Sequence, residues 1–388
     1  MGNFDYYQPT EIRFGAGRLI EIGKIAAKYS KRCLLVTVPA FSEFKPLLRK
    51  VKASLKKAGV EMVHFDGVIP NPTTDCVTAG AKMAKAGRVK VVIGLGGGSS
   101  MDTAKAIAVQ ATHRGTCWDY LWFRKTQPTE KTLPVIAVTT TSGTGSQVTQ
   151  VAVVTNTAEK CKSAIYNPIV YPKVAIVDPE LMVTVPEHVT ASTGFDVFCH
   201  AFEAFIHCNT SPYICMMARE AMARVVKYLP VAVKDGSNME ARTEMAWADT
   251  LAGLCIANAG VTLPHGMGMA IGGMYPHVMH GESLAVTYPE FMRYTYKSAV
   301  PQFAAIGRIF NPALASDSDE VAAEKSCEEM DKFLKKIGMW LSLDGLKVPA
   351  DELPELAKSC LVLPDYKNNP RVVNLDDIKK ILNHSFKR

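Results

Sequence analysis

Four residues in the second half of this chain have the chemistry of metal ligands: Asp196, His200, His265 and His280. Residues 190–207 read as a helix, with Ser192 or Thr193 available as an N-cap and no proline before Pro212. Asp196 and His200 are four apart, so on a helix they share a face at about 5–6 Å, the arrangement by which a helix offers two ligands to one ion. His265 and His280 are each followed by glycine. One carboxylate and three imidazoles suit a divalent transition metal such as iron or zinc, and are too nitrogen-rich for magnesium or calcium. Any one of these histidines alone is more readily a hydrogen-bonded core residue, and the four together, taken alone, suit a core cluster as well as an ion.

A second chemical feature lies upstream. Residues 90–108, KVVIGLGGGSSMDTAKAIA, read as a buried strand, a glycine cluster and a helix. Gly96, Gly97 and Gly98 let backbone approach a phosphate, and the helix opening at Ser99 aims free N–H groups at it. A tight strand-to-helix turn explains the glycines equally well. The match to G-x-G-x-x-G is incomplete, because Ser99 stands at the third glycine position. Residues 139–150, TTTSGTGSQVTQ, follow another buried strand and are dense in hydroxyls and glycine. Two such loops at the strand ends of one sheet form a crevice suited to a pyrophosphate, and Asn71, after an earlier strand, is placed to reach it.

The elements that must hold these residues change character along the chain. Apolar runs at 11–14, 33–38, 62–66, 89–94, 134–139, 151–156 and 174–177 read as strands, with amphipathic stretches at 18–29, 44–58, 74–86 and 99–112 among the early ones. That alternation predicts a parallel sheet with helices on both faces. After residue 189 strands almost vanish, and helical patterns follow at 212–228, 239–257, 299–309, 319–336, 351–361 and 375–383. The expected architecture is an α/β dinucleotide-binding domain with a parallel sheet over 1–186, then an all-α metal-binding domain over 187–388.

Composition narrows the class. A length of 388 residues favours two domains, and 48% hydrophobic with 21% charged residues is ordinary for a soluble globular chain. The net charge of +7 is spread out and forms no basic stripe interleaved with aromatics, so nucleic acid is not an expected partner. Ten irregularly spaced cysteines without a CxxC pair read as reduced thiols, and the N-terminus lacks a signal pattern, so a cytoplasmic protein is expected. Residues 250–281 carry no Asp, Glu, Lys or Arg but contain two prolines, three histidines and seven glycines, which fits an enclosed active-site segment better than a membrane span.

Together these features resemble the iron-containing (group III) alcohol dehydrogenases over essentially the whole chain. The most specific stretch runs from Ala175-Ile176-Val177-Asp178 through Pro186 to Gly194-Phe195-Asp196-Val197-Phe198 and Glu203. The resemblance implies NADP or NAD, a divalent metal with iron ahead of zinc, and hydride transfer between the nicotinamide and a primary alcohol or aldehyde. It implies Asp196, His200, His265 and His280 as metal ligands, with no catalytic side chain beyond them. It further implies Asn71, Gly97, Gly98, Ser99, Asp102, Thr139, Thr140, Thr144, Thr149 and Lys162 as cofactor positions, and a homodimer or larger homo-oligomer. Glycerol dehydrogenases and dehydroquinate synthases of the same superfamily, and a nucleotide-binding protein without turnover, are the alternatives.

Three departures from the family pattern matter. His265 and His280 are fifteen apart, one residue beyond the usual spacing, which makes His277 a rival ligand. Met269 stands where many members carry a further histidine near the nicotinamide, and Gln147 replaces a glutamate in the second loop. Val38 takes the place of the aspartate that follows the first long strand in NAD-using relatives. Such an acidic residue binds the ribose hydroxyls and repels a 2′-phosphate, so its absence opens the site to NADP.

Overall fold

The computed structural model describes residues 3–388. The described chain divides into two compact units, Tyr7–Val185 and Pro186–Arg388, and residues 3–6 group with the second. Tyr6 sets its ring edge-on to Tyr213, with centroids 4.7 Å apart.

The first unit carries eight strands: β1 (Glu11–Phe14), β2 (Arg32–Val36), β3 (Glu61–Phe65), β4 (Val91–Gly96), β5 (Val135–Thr139), β6 (Val151–Asn156), β7 (Cys161–Tyr166) and β8 (Val174–Val177). Six form a parallel sheet in the order β1-β8-β5-β4-β2-β3, and β6 with β7 makes a separate antiparallel hairpin. Helices α1 (Ile22–Tyr29), α2 (Phe44–Lys57), α3 (Thr74–Ala86) and α4 (Gly98–Gln110) cover the sheet. Strand β2 shows why both faces are buried. Cys33 and Leu35 pack with Ile22, Ile25, Val51 and Leu55 of α1 and α2. Leu34 and Val36, one pleat on, pack with Val77 and Ile107 of α3 and α4. Side chains alternate across a strand, so a run of four apolar residues feeds two cores, as a parallel sheet requires.

The second unit is helical throughout: α5 (Glu187–Ile206), α6 (Pro212–Lys234), α7 (Met239–Asn258), α8 (Leu263–Met274), α9 (His280–Thr295), α10 (Val300–Phe310), α11 (Asp319–Lys336), α12 (Leu353–Ser359) and α13 (Leu375–Phe386). Helix α5 starts at Glu187, directly after Pro186 and ahead of the expected caps Ser192 and Thr193. From Gly194 to Ile206 it is buried on every side, with Phe195, Phe198 and Phe202 among the largest fully enclosed side chains. Two helices absent from the sequence reading, α8 and α9, carry His265 and His280. Among the described residues no single helix is long and apolar enough to cross a membrane; α7 and α8 reach that composition only as a pair bent by 100°.

Candidate active site

Helix α5 presents Asp196, His200 and Glu203 along one face, at i, i+4 and i+7, and all three are buried. Polar side chains so enclosed are costly unless each finds a partner. Helix α8 brings His265 to the same place in its first turn, and α9 brings His280 as its first residue. The approach of α9 depends on Gly281, where a Cβ would stand 2.0 Å from the Ser192 carbonyl oxygen of α5.

The four side chains converge on one atom. Asp196 Oδ1 lies 3.6 Å from His200 Nε2, 3.4 Å from His265 Nε2 and 3.8 Å from His280 Nε2. Asp196, His265 and His280 each offer one ligand atom, and these lie within 4.8 Å of one another. The imidazoles of His200 and His265 stack, with centroids 4.6 Å apart. Asp196 Oδ1 and His265 Nε2 are buried without a hydrogen-bond partner, so two ligand-type atoms face one another unsatisfied in the interior. Burial would raise the Asp196 carboxyl, but the surrounding imidazoles hold it well below the usual range. Burial would lower His265, but Glu203 and Asp196 outweigh it and raise its pKa to about 10. Without an ion that proton takes the place a cation would fill, and one oxygen with three nitrogens converging in a dry interior fits a divalent transition metal. His277, the rival ligand, turns elsewhere: it is exposed, with Nε2 2.9 Å from the Leu346 carbonyl oxygen. Met269 is half-buried on α8, beyond the first turn that holds His265.

In the first unit, β4 ends at Gly96 with φ of 145°, and Gly97 caps α4. Thr140 N–H donates to the Gly96 carbonyl at 3.0 Å, tying the end of β4 to the loop after β5. A Cβ on Gly98 would stand 2.5 Å from Thr144 Cγ2. The two loops are thus in contact, which brings Gly97, Gly98, Ser99, Thr139, Thr140 and Thr144 together. Thr139 Oγ1 donates to the Thr141 carbonyl at 2.7 Å, and Ser99 accepts from Thr103 at 2.7 Å through its carbonyl. Asn71, at a left-handed φ of 52°, accepts from Lys162 Nζ at 2.9 Å.

Asp102 and Thr149 behave differently, because both are turned into the fold. The Asp102 carboxylate accepts from Ser146 Oγ at 2.7 Å and from Val153 N–H at 3.1 Å. Beside it is a residue the sequence reading passed over. Lys105 is fully buried, and its ammonium donates to the carbonyls of Ser146 at 2.7 Å, Thr149 at 2.9 Å and Val151 at 2.7 Å, and to Ser146 Oγ at 2.9 Å. Burial pulls its pKa down to about 8 against the attraction of Asp102, so the ammonium persists at neutral pH. Lysine is almost never fully buried unless paired; this one braces the second loop from beneath.

Residues 9–179 match the family model described as iron-containing alcohol dehydrogenase, and residues 190–386 match the Fe-containing alcohol dehydrogenase family, C-terminal. The chain belongs to the iron-containing alcohol dehydrogenase family. It is an enzyme, an alcohol dehydrogenase. It is 31% identical over 382 residues to the NAD-dependent methanol dehydrogenase of Bacillus methanolicus, covering 98% of this chain and 100% of that one. It is 34% identical to the 1,3-propanediol dehydrogenase of Klebsiella pneumoniae, covering 99% of each. Among solved structures, the archaeal halo-thermophilic Red Sea brine pool alcohol dehydrogenase bound to NZQ has a TM-score of 0.94 at 35% identity, covering 100% of each chain.

Proposed function

We propose that this alcohol dehydrogenase interconverts a primary alcohol and its aldehyde, with iron held by Asp196, His200, His265 and His280. The observation that carries the reading is the convergence of three imidazoles on the buried Asp196 Oδ1 at 3.4–3.8 Å. When bound, the ion would supply Lewis-acid chemistry at the alcohol oxygen, whose proton would pass to solvent, and the nicotinamide would supply the hydride acceptor. The chain's own part is orientation and charge. Asp196 offsets one positive charge of the ion, and the neutral imidazoles add none, so the centre stays electrophilic. The glycine turn at 96–98 and the hydroxyl-rich loop at 139–149 hold the dinucleotide phosphates by backbone N–H groups and the N-terminus of α4. The test follows reduced-nicotinamide absorbance over a panel of primary alcohols and aldehydes, with metal analysis of the same preparation. A metal-loaded protein that turns over none of the panel would refute the reading.

The cofactor is NADP, alone or alongside NAD, in our reading. Val38 stands just beyond the end of β2 and is partly buried against the core under α3 and α4. Its neighbour Thr37 shares a 2.9 Å hydrogen bond with His64 Nε2, and with valine at 38 this position offers no carboxylate to repel a 2′-phosphate. Val38→Asp is expected to shift the ratio of kcat/KM for the two cofactors towards NAD by roughly tenfold, about 1.4 kcal/mol. An unchanged ratio would mean that Val38 does not face the ribose.

We also propose a homodimer or a larger even assembly. Strand β1 lies at the edge of the sheet and pairs with β8 on one side, and such edges are ordinarily paired or covered. Light scattering at micromolar concentration is expected to give at least twice the 42.3 kDa chain mass; a monomer would count against edge pairing.

A further inference from the structure

We infer that Glu203 is the positioning residue of the metal centre, fixing His265 in the tautomer that leaves Nε2 free for the ion while tying α5 to the first turn of α8. The inference rests on the metal-site reading above. His265 Nδ1 lies 2.7 Å from Glu203 Oε1. An ionised carboxylate can only accept, so with an ion bound the ring nitrogen facing it would carry the hydrogen and Nε2 would keep its lone pair for the ion. That lone pair is the one 3.4 Å from Asp196 Oδ1, and Nε2 is buried without a hydrogen-bond partner. The second carboxylate oxygen of Glu203 accepts from Thr262 N–H at 2.8 Å and from Thr262 Oγ1 at 3.3 Å. Thr262 is the N-cap of α8, three residues before His265, so one side chain sets both the ring and the helix that carries it. Glu203 is fully buried. It is therefore shielded from solvent, and both of its oxygens are committed.

A carboxylate behind a ligating histidine orients the ring and raises its basicity, and its loss typically costs about 10–100-fold in metal affinity. Glutamine in this place keeps the size but fails chemically. Its amide has one accepting oxygen, and its NH₂ must face either the His265 Nδ1–H or the Thr262 N–H, donor against donor. Glu203→Asp keeps the charge but withdraws it by a methylene from both partners.

The experiment measures zinc(II) affinity by chelator competition, and the visible spectrum with cobalt(II), in wild type, Glu203→Gln, Glu203→Asp and His280→Ala. Apo-protein melting is followed alongside. Glu203→Gln is expected to bind zinc about 10–100-fold more weakly, with an altered cobalt spectrum and unchanged dinucleotide affinity. Glu203→Asp is expected to fall between, and it carries the test if the glutamine variant does not fold. A folded Glu203 variant with wild-type zinc affinity and cobalt spectrum would overturn the proposal. With His280→Ala devoid of metal, the metal-site reading would survive that result; with His280→Ala unaffected, both would fall.

Discussion

His280→Ala is expected to lose the bound metal and alcohol-dependent nicotinamide reduction together, whereas His277→Ala retains both near wild-type levels. The expectation is geometric. His280 Nε2 lies 3.8 Å from Asp196 Oδ1 and belongs to the cluster whose ligand atoms fall within 4.8 Å of one another. His277 is exposed and engages the Leu346 carbonyl. If the proposed site holds its ion by four ligands, losing one is expected to lower kcat/KM by about a thousandfold or more, roughly 4 kcal/mol. Dinucleotide affinity is expected to hold, because the glycine turn and the hydroxyl loop belong to the other unit. Metal analysis, kcat/KM and cofactor titration on the two variants decide the matter. Metal lost from His277→Ala and kept by His280→Ala would reverse the assignment.

The spacing that made this site legible was local. Asp196 and His200 share a helix, so their shared face could be read from the sequence. Glu203 lies on that face too, but its partner His265 is 62 positions away, and only the fold reveals why a carboxylate is needed there. Helices α8 and α9 were illegible for a different reason. Helix α8 contains Gly266, Gly268, Gly272 and Gly273, and α9 contains Pro289, so propensity argues against both. Their helicity comes from packing: Gly281 admits the α5 backbone, and the apolar positions of α9 are enclosed. In the α/β half, the alternation of buried strands and amphipathic helices gave the sheet. Strand β7 escaped because Lys162 and Ser163 are polar yet buried, which erases the contrast on which pattern reading depends.

The largest stability effect is expected from Lys105→Met. Its methylene stem fits the same space, but the ammonium that serves the carbonyls of Ser146, Thr149 and Val151 is gone. Those acceptors lie in the segment that carries the hydroxyl-rich loop into β6. The Asp102 carboxylate would keep Ser146 Oγ and Val153 N–H but lose its counter-charge. Leaving buried acceptors without their donor costs about 1–3 kcal/mol each, and Asp102, whose carboxyl pKa burial already pushes up, loses the cation that opposes that shift. Urea unfolding of the α/β unit is the readout: the midpoint is expected to fall while the slope stays the same. Adding Asp102→Asn to Lys105→Met is expected to recover part of the loss, since the stranded charge is then removed. The loop carbonyls would still lack their donor, so dinucleotide affinity is expected to stay weak in the double variant. Metal content in the helical unit should not change. A single variant within about 0.5 kcal/mol of wild type, the range of ordinary surface substitutions, would show that the ammonium does not hold this loop.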